Sequence, residues 1–498
     1  DTCSNGSGTV TTGVAFGDGV YSVTSTQSDS AGNTSGSSAG LSITIDTTAP
    51  GAPGTPDMTA GTDTGTSDSD DVTSDTTPDF TATCVNGNTI EFFSGAVSLG
   101  SDTCSNGSGT VTASVAFSDG VYSVTSTQSD SAGNTSVAST GLSITIDTTA
   151  PGAPGTPDMT AGTDTGTSDS DDVTSDTTPD FTATCVNGNT IEFFSGAVSL
   201  GSDTCSNGSG TVTTGVAFGD GVYSVTSKQT DSAGNTSVAS AGLSITIDTT
   251  APGAPGTPDM TAGTDTGTSD SDDVTSDTTP DFTATCDNGN TIEFFSGAVS
   301  LGSDTCSNGS GTVTTGVAFS DGVYSVTSTQ TDSAGNTSVA SAGLSITIDT
   351  TAPGAPGTPD MTAGTDTGTS DSDNVTSDTT PDFTATCDNG NTIEFFSGAV
   401  SIGSDTCSNG SGTVTTGVAF SDGVYSVTST QTDSAGNTSV ASAGLSITID
   451  TTAPGAPGTP DMTAGTDTGT SDSDNVTSDT TPDFTATCIN GNTIEFFS

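Results

Sequence analysis

The sequence predicts an all-β protein, a tandem array of small β-sandwich domains. One observation is a fixed repeat period of 101 residues, which both cysteine series in the chain follow. Another is the alternation of apolar and polar residues over short segments, which is typical of half-buried strands. The third is the turn-forming Asn-Gly and Asp-Gly pairs between those segments. No segment shows the apolar spacing of an amphipathic helix.

The repeat period defines the domain organisation. The cysteines recur every 101 residues in two series: Cys3, Cys104, Cys205, Cys306 and Cys407, and Cys84, Cys185, Cys286, Cys387 and Cys488. A period this long corresponds to a whole domain, because solenoid repeats are about 20 to 50 residues long. Boundaries at the proline after Asp-Thr-Thr-Ala predict complete domains at 50–150, 151–251, 252–352 and 353–453.

The two ends of the sequence match parts of a domain. Residues 1–49 correspond to a back half and residues 454–498 to a front half. We expect either a window cut from a longer array, or two halves that complete each other between molecules. Since the chain opens inside a repeat, we expect no signal peptide in it.

Residues 50–150 illustrate the strand pattern. Apolar residues share one face at Phe80, Ala82 and Cys84, and similar alternation covers 90–92, 111–117, 122–124 and 142–146. Six or seven short antiparallel strands in about 100 residues fit a sandwich of immunoglobulin-like type. The predicted core is Phe80, Ile90, Phe92, Val115, Phe117, Tyr122, Val124, Leu142 and Ile144.

The composition excludes several classes of function. The chain has 498 residues with 60 acidic side chains, one lysine, no arginine and no histidine, for a net charge of -59. Nucleic acids and anionic membrane surfaces are excluded as partners, because both require basic residues. The sequence contains no apolar run of about 18 residues, so no transmembrane helix is predicted. We expect that the protein is not an enzyme, because the sequence offers no combination of nucleophile, base and oxyanion donor.

The cysteines predict disulfides within each domain. Small domains with thin cores usually need an additional constraint, and two cysteines of each domain lie twenty residues apart. The predicted pairs are Cys84 with Cys104, Cys185 with Cys205, Cys286 with Cys306, and Cys387 with Cys407. Free buried thiols are the alternative, and a metal–thiolate site lacks a four-ligand cluster. Disulfides indicate an oxidising, extracytoplasmic compartment.

The connection between domains combines prolines with carboxylates. Prolines at 151, 154 and 157 have the spacing of a polyproline II helix and predict a semi-rigid extended segment. An acidic run follows without any nearby basic residue, so its charges repel one another unless a cation binds. We therefore interpret this segment, from Ile146 to Asp176, as a hinge that a cation can stiffen. A solvated acidic loop is the alternative.

Motifs along the whole chain resemble the bacterial Ig-like repeats of giant secreted adhesins and biofilm-associated surface proteins. They are Ile146-Asp147-Thr148-Thr149-Ala150-Pro151, Asp75-Thr76-Thr77-Pro78, and the segment from Asp119-Gly120 to Gly133-Asn134. The resemblance implies domains stacked end to end as a stalk, with calcium often bound in or between them. Two cysteines per repeat are a departure from that family.

The resemblance and the carboxylate density together predict structural Ca²⁺ sites in the acidic runs, because Ca²⁺ takes six to eight oxygen ligands. The predicted ligands are Asp63, Asp68, Asp70, Asp71 and Asp75; Asp164, Asp169, Asp171, Asp172 and Asp176; Asp265, Asp270, Asp272, Asp273 and Asp277; and Asp366, Asp371, Asp373 and Asp378. Asn374 and Asn475 replace an aspartate in the last two copies. The expected location is extracellular, on the bacterial cell surface.

Three functional hypotheses follow. The first is a structural extender in an adhesin stalk or surface fibre, in which neighbouring repeats of the array are the partners. The second is a multivalent module that binds carbohydrate or a cell surface. The third is a filament subunit that pairs its half-domains with other copies of itself.

Overall fold

The computed structural model describes residues 1–498 and consists of strands, turns and loops. Residues 1–49 contain β1 (Gly19–Val23) and β2 (Leu41–Ile45). Residues 50–150 contain β3 (Asp57–Met58), β4 (Val72–Thr73), β5 (Asp79–Thr83), β6 (Thr89–Ser94), β7 (Val97–Thr103), β8 (Ser108–Thr112), β9 (Gly120–Ser129) and β10 (Leu142–Ile146).

The same eight strands recur in the next three domains. Residues 151–251 contain β11 (Asp158–Met159), β12 (Val173–Thr174), β13 (Asp180–Thr184), β14 (Thr190–Ser195), β15 (Val198–Thr204), β16 (Ser209–Thr213), β17 (Gly221–Thr230) and β18 (Leu243–Ile247). Residues 252–352 contain β19 (Asp259–Met260), β20 (Val274–Thr275), β21 (Asp281–Thr285), β22 (Thr291–Ser296), β23 (Val299–Thr305), β24 (Ser310–Thr314), β25 (Gly322–Thr331) and β26 (Leu344–Ile348). Residues 353–453 contain β27 (Asp360–Met361), β28 (Val375–Thr376), β29 (Asp382–Thr386), β30 (Thr392–Ser397), β31 (Val400–Thr406), β32 (Ser411–Thr415), β33 (Gly423–Thr432) and β34 (Leu445–Ile449). Residues 454–498 contain β35 (Asp461–Met462) and β36 (Phe484–Thr485).

The chain forms two compact units. The first is Asp1–Pro252 with the loop Thr331–Thr337, and the second is Gly253–Gln330 with Ser338–Ser498. The chain contains no helix of the length and hydrophobicity needed to cross a membrane.

Each complete domain is a sandwich of a five-stranded and a three-stranded sheet. In residues 50–150 the strand orders are β4-β10-β9-β6-β7 and β3-β5-β8, and the later domains repeat both orders. All pairings are antiparallel except that of β4 with β10, where Val72 lies beside Thr145. The predicted all-β sandwich repeated at a 101-residue spacing is thus confirmed.

The core lies between the two sheets. Phe80 from the small sheet and Phe92, Val124 and Ile144 from the large sheet are fully buried. The ring centroids of Phe80 and Phe92 lie 6.4 Å apart. Burying each such side chain contributes roughly 1.5–3 kcal/mol. These positions follow from the alternation of the sequence, because successive side chains of a strand point to opposite faces.

Part of the predicted core was wrong. Val115 is 47% exposed, because β8 ends at Thr112 and the chain leaves the sheet before reaching it. Phe117, Tyr122 and Leu142 are only partly buried at the margin of the core. The core also includes residues that the predicted core left out, some of which lie in the alternating segments: Met58, Ala82, Leu99, Cys104, Val111, Ala113 and Ile146.

The four predicted cysteine pairs form disulfides: Cys84–Cys104, Cys185–Cys205, Cys286–Cys306 and Cys387–Cys407. The Cα–Cα distance is 6.0 Å in each, which suits a disulfide. Each joins the end of one sheet to the end of the other. Cys3 and Cys488 are exposed and free.

Replacing Cys185 and Cys205 with serine should destabilise one domain by about 3 kcal/mol, because a closed loop of this length restricts the unfolded chain. Denaturant unfolding followed by circular dichroism should show one domain that unfolds earlier than the other complete domains. Full reduction of the unmodified chain should lower the denaturant concentration at which each of the four complete domains unfolds. A variant that unfolds at the same denaturant concentration as the parent would contradict the prediction.

Candidate functional site: the junction between domains

Three segments meet where one domain is followed by the next. Between domains 50–150 and 151–251 they are the linker (147–150), the acidic loop of the first domain (63–75), and a tight loop of the second domain (231–235). This last segment has the sequence Asp-Ser-Ala-Gly-Asn, and we call it the SAG loop. The same names are used for the equivalent segments of other domains.

The linker is held by an aspartate of its own domain. Asp119 Oδ1 accepts hydrogen bonds from the Thr148 amide at 3.0 Å and the Thr148 hydroxyl at 2.7 Å. Asp119 Oδ2 accepts one from the Thr149 hydroxyl at 2.8 Å. These bonds favour the carboxylate and lower the pKa of Asp119 below its ordinary value. The equivalent aspartates Asp18, Asp220, Asp321 and Asp422 make the same contacts.

The next domain holds the linker from the other side. Asn235, in the SAG loop, donates from Nδ2 to the carbonyl oxygen of Asp147 at 2.8 Å. Asp231 orients this side chain, because its Oδ2 accepts a hydrogen bond from Asn235 Nδ2 at 3.2 Å. The same bond joins Asn134 to Asp46, Asn336 to Asp248, and Asn437 to Asp349. A linker bonded on both sides has few conformations open to it.

The proline segment lies on its own domain, so the hinge interpretation was wrong in its geometry. Pro53 and Pro56 are buried. Gly54 donates its amide to the Thr83 carbonyl at 2.9 Å. The side chain of Gln128 donates from Nε2 to the Gly51 carbonyl at 2.7 Å. The prolines therefore form an extended edge of the sandwich.

The acidic loop at each junction comes from the domain before it. β4 pairs with β10, and the amide of Asp147 donates to the carbonyl of Thr73 at 3.0 Å. This pairing places residues 63–75 beside the linker that leaves the same domain. The run 164–176, which follows that linker in sequence, lies beside 246–248 at the opposite end of its own domain.

The acidic loop also contacts the SAG loop of the next domain. The hydroxyl of Thr64 donates to the carbonyl of Ala233 at 3.0 Å, and the amide of Thr66 donates to the carbonyl of Ser232 at 3.3 Å. Ala233 is 0% exposed as a result. Most atoms in this contact belong to the backbone, so the pattern of apolar residues in the sequence could not predict it.

One aspartate of each acidic loop is buried with an unpaired oxygen. Asp63 is 5% exposed; its Oδ2 accepts the amide of Asp71 at 3.2 Å, while its Oδ1 has no hydrogen-bond partner. The same oxygen is unpaired in Asp164, Asp265, Asp366 and Asp467. A buried oxygen without a partner is costly, and a cation is one group that can satisfy it.

Burial and neighbouring negative charges raise the pKa of two aspartates in this loop. Burial raises the pKa of Asp63, and the nearby Asp70 and Asp68 add to the rise. Burial also raises the pKa of Asp71, with added repulsion from Asp63 and Asp57. Sequence reasoning missed Asp57, since only the folded chain brings it close. Asp172 and Asp273 are affected in the same way.

The other predicted ligands do not converge with this pair. Asp68 is exposed, and Asp70 Oδ1 accepts the Val72 amide at 3.2 Å. Asp75 closes a turn by accepting the Thr77 amide at 2.8 Å. Nowhere does the chain place three or more acidic, histidine or cysteine side chains where together they could hold a metal ion. A cation here would need backbone carbonyl, hydroxyl or water oxygens as well.

Position 71 explains why asparagine replaces aspartate in later copies. Asp71 has a φ of 59°, and Asn374 and Asn475 have 60° and 57°. Both residue types tolerate this left-handed conformation better than other non-glycine residues. The substitution therefore keeps the backbone and removes one charge.

Comparison with known proteins gives a family match and several structural likenesses. The family model described as Bacterial Ig-like domain matches residues 49–148, 150–249, 251–350 and 352–451. No curated protein matches the chain significantly. One similar solved structure is a Ca²⁺-stabilised adhesin with which an Antarctic bacterium binds ice; it is 26% identical, covers 81% of this chain and 100% of that chain, and has a TM-score of 0.29.

Two further likenesses are weaker in sequence. A biofilm-associated protein BSP domain is 11% identical, covers 81% of this chain and 96% of that chain, and has a TM-score of 0.15. The fibronectin(III)-like modules of Clostridium thermocellum CbhA are 17% identical, cover 36% and 87%, and have a TM-score of 0.24. All these TM-scores lie well below 0.5.

Replacing Asp220 with alanine should loosen the linker at 249–250, because Thr249 and Thr250 lose their shared acceptor. Limited proteolysis with a protease of broad specificity should cut this linker several times faster than in the parent chain. Asp169→Ala is the matched control, since it removes the same charge from an exposed side chain. Equal cleavage of the two variants would contradict the role of Asp220.

Replacing Asp71, Asp172 and Asp273 with asparagine should raise the melting temperature at pH 7 in the presence of a chelator. The folded pKa of each aspartate is raised. The parent chain therefore loses stability as the pH rises through that folded pKa, and the variant does not. We expect a gain in stability at pH 7 that disappears below the ordinary aspartate pKa. Thermal unfolding at several pH values measures it; a gain that grows as the pH falls would contradict the prediction.

Proposed function

Because the chain belongs to the bacterial Ig-like domain family, we propose that it is an extender segment of an extracellular bacterial adhesin or surface fibre. The observation that carries this proposal is the repeated junction, in which four successive linkers are each bonded both by Asp119 or its equivalent and by the next domain's asparagine. A junction of this kind limits movement between neighbours. Adding domains then adds reach in proportion to their number.

The extender role requires durability outside the cell. One disulfide in each complete domain supports an oxidising environment. The net charge of -59 supports solubility at high local concentration, because like-charged chains repel one another. We take the role to be non-catalytic, with neighbouring repeats as the immediate partners.

The second part of the proposal is that calcium binds in the acidic loop. The unpaired Oδ1 of Asp63, repeated in five copies, and the raised pKa values of Asp63 and Asp71 fit an oxygen-preferring cation. Asp63 would be the principal carboxylate ligand, and a bound cation would relieve the repulsion within the acidic loop. The loop lies against the linker and the SAG loop, so relief of repulsion there would stiffen the junction.

Force spectroscopy of the full chain tests the extender role. Four complete domains should give up to four unfolding events of equal length, because the domains are nearly identical. Reduction of the disulfides should lengthen each event by about 70 Å, the extended length of about 20 residues. Irregular unfolding without a repeated length would refute the extender role, whereas specific capture of the chain by a polysaccharide array would favour the multivalent binding module.

Thermal unfolding with calcium and with excess chelator, at fixed ionic strength, tests the cation separately. Calcium should raise the melting temperature of the parent chain, and magnesium should do so less. Asp63→Asn, made together with the same change at Asp164, Asp265, Asp366 and Asp467, should abolish the calcium effect. No response of the parent chain would remove calcium from the proposal and leave the extender role intact.

A further inference from the structure

We infer that the two Asn-Gly pairs of each complete domain, Asn86-Gly87 and Asn106-Gly107 in residues 50–150, are sites of asparagine deamidation that keep one another unreactive in the folded domain. The modification is intramolecular and consumes only water. This inference goes beyond the extender role, because it concerns how long a domain keeps its covalent structure. Every Asn-Gly pair of the chain lies at one of these two positions of the repeat.

An asparagine followed by glycine is open to this reaction, because glycine has no side chain that would keep its backbone nitrogen away from the preceding residue. The glycine nitrogen attacks the asparagine Cγ. A bond between that nitrogen and Cγ forms, the bond between Cγ and Nδ2 breaks, and the proton of the glycine nitrogen leaves with Nδ2 as ammonia. Water then opens the resulting succinimide at either carbonyl carbon and gives aspartate or isoaspartate.

Turn geometry explains why a reactive pair stands at Asn106-Gly107. Ser105 and Ser108 exchange backbone hydrogen bonds of 3.0 and 3.2 Å across a two-residue turn. The φ values of Asn106 and Gly107 are 53° and 89°. Asn-Gly is the preferred sequence where both central residues of a tight turn need a positive φ. The fold therefore selects a sequence that is also prone to deamidation.

Water has access to both asparagines, and a disulfide joins the loops that carry them. Asn86 and Asn106 are exposed. The loops 84–88 and 104–108 are joined by Cys84–Cys104. The amide of Cys84 donates to the carbonyl of Gly107 at 3.0 Å, which also holds the loops together. Protection of the asparagines therefore has to come from the glycine nitrogens, since burial supplies none.

Both glycine nitrogens donate a hydrogen bond to the opposite loop. Gly87 donates its amide to the carbonyl of Cys104 at 3.0 Å. Gly107 donates its amide to Oδ1 of Asn86 at 2.6 Å. To attack, each nitrogen has to lose its proton and turn toward its own asparagine, which breaks the bond to the other loop. The folded geometry thus opposes the reaction at both sites.

The same reciprocal bonds recur in the other complete domains. The second glycine of each domain donates to an asparagine Oδ1 at 2.6 Å, on Asn187, Asn288 and Asn389. The first glycine donates to a cysteine carbonyl at 3.0, 2.9 and 3.0 Å, on Cys205, Cys306 and Cys407. The residue before the first asparagine changes from valine to aspartate between domains, and both bonds are kept.

Asn86 is both a target of the reaction and the residue that protects Asn106. Conversion of Asn86 to aspartate keeps a side-chain oxygen that can accept the Gly107 amide. Conversion to isoaspartate displaces that oxygen, because the main chain then runs through the former side-chain carbons. Gly107 loses its acceptor in that product. Isoaspartate at position 86 should therefore be followed by deamidation of Asn106.

Modification at Asn86 also acts on the segment that enters the domain. The neighbouring Val85 donates its amide to Oε1 of Gln128 at 2.9 Å. Nε2 of Gln128 donates to the carbonyl of Gly51 at 2.7 Å. Isoaspartate lengthens the main chain beside Val85 and displaces its amide. A modified domain should therefore hold its proline segment less firmly than an unmodified one.

Peptide mass spectrometry of the full chain, after long incubation at mildly alkaline pH, tests the protection. Asn106 can be followed by itself, because Ala113 and Ser114 distinguish its peptide from those of the other copies. Asn86→Ala removes the acceptor of Gly107 and should accelerate deamidation of Asn106 about fivefold, the factor that corresponds to one lost hydrogen bond. Asn86→Asp is the matched control, since it keeps an acceptor oxygen, and should leave the rate close to that of the parent chain.

Two further rates separate loss of this bond from loss of the fold. The peptides of Asn308 and Asn409 in the same molecules should deamidate at the parental rate. In the parent chain, Asn106 should deamidate much more slowly when folded than when denatured. Equal rates for Asn86→Ala and Asn86→Asp, or for the folded and denatured parent, would overturn the inference. Acceleration by Asn86→Ala to the denatured rate would also overturn it, because one hydrogen bond does not account for such a change.

Discussion

The organisation of this protein depends on the linker between domains being hydrogen-bonded on both of its sides. Asp119 holds the threonines from the domain that the linker leaves, and Asn235 holds the Asp147 carbonyl from the domain that it enters. Neither bond is strong alone, since the net contribution of a typical hydrogen bond is about 1 kcal/mol. Together, however, they restrict the conformations of the short linker from both sides.

The sandwich core makes this arrangement possible. Fully buried residues such as Phe80 and Phe92 keep the two sheets in register, and the disulfide ties the sheet ends together. The loops at the domain end can then be polar and closely spaced, because they contribute little to the stability of the domain. A rigid body with polar loops at its ends can be joined to its copies without exposing large apolar surfaces.

The acidic loop is destabilised by its own carboxylates, and it also forms the contact with the next domain. Burial and, to a smaller extent, like charges raise the pKa values of Asp63 and Asp71, so keeping both ionised costs stability. The same loop carries Thr64 and Gly65, which contact the next domain. Any change in charge at Asp63, by a proton or a cation, therefore acts one residue away from the contact between domains.

The sequence by itself determined the all-β fold, the 101-residue spacing, the cysteine pairs and part of the core, including Phe80, Phe92 and Ile144, because alternation and repetition are local properties. It misplaced Val115, since the end of β8 depends on where the chain leaves the sheet. It could not show that the prolines pack on their own domain, or that each acidic loop serves the linker leaving the same domain. Those relations arise from the pairing of β4 with β10, which joins residues more than 70 positions apart. The contact of Gly65 with Ser232 was also decided only in three dimensions, because backbone atoms form it and residue type constrains it only through the missing Cβ.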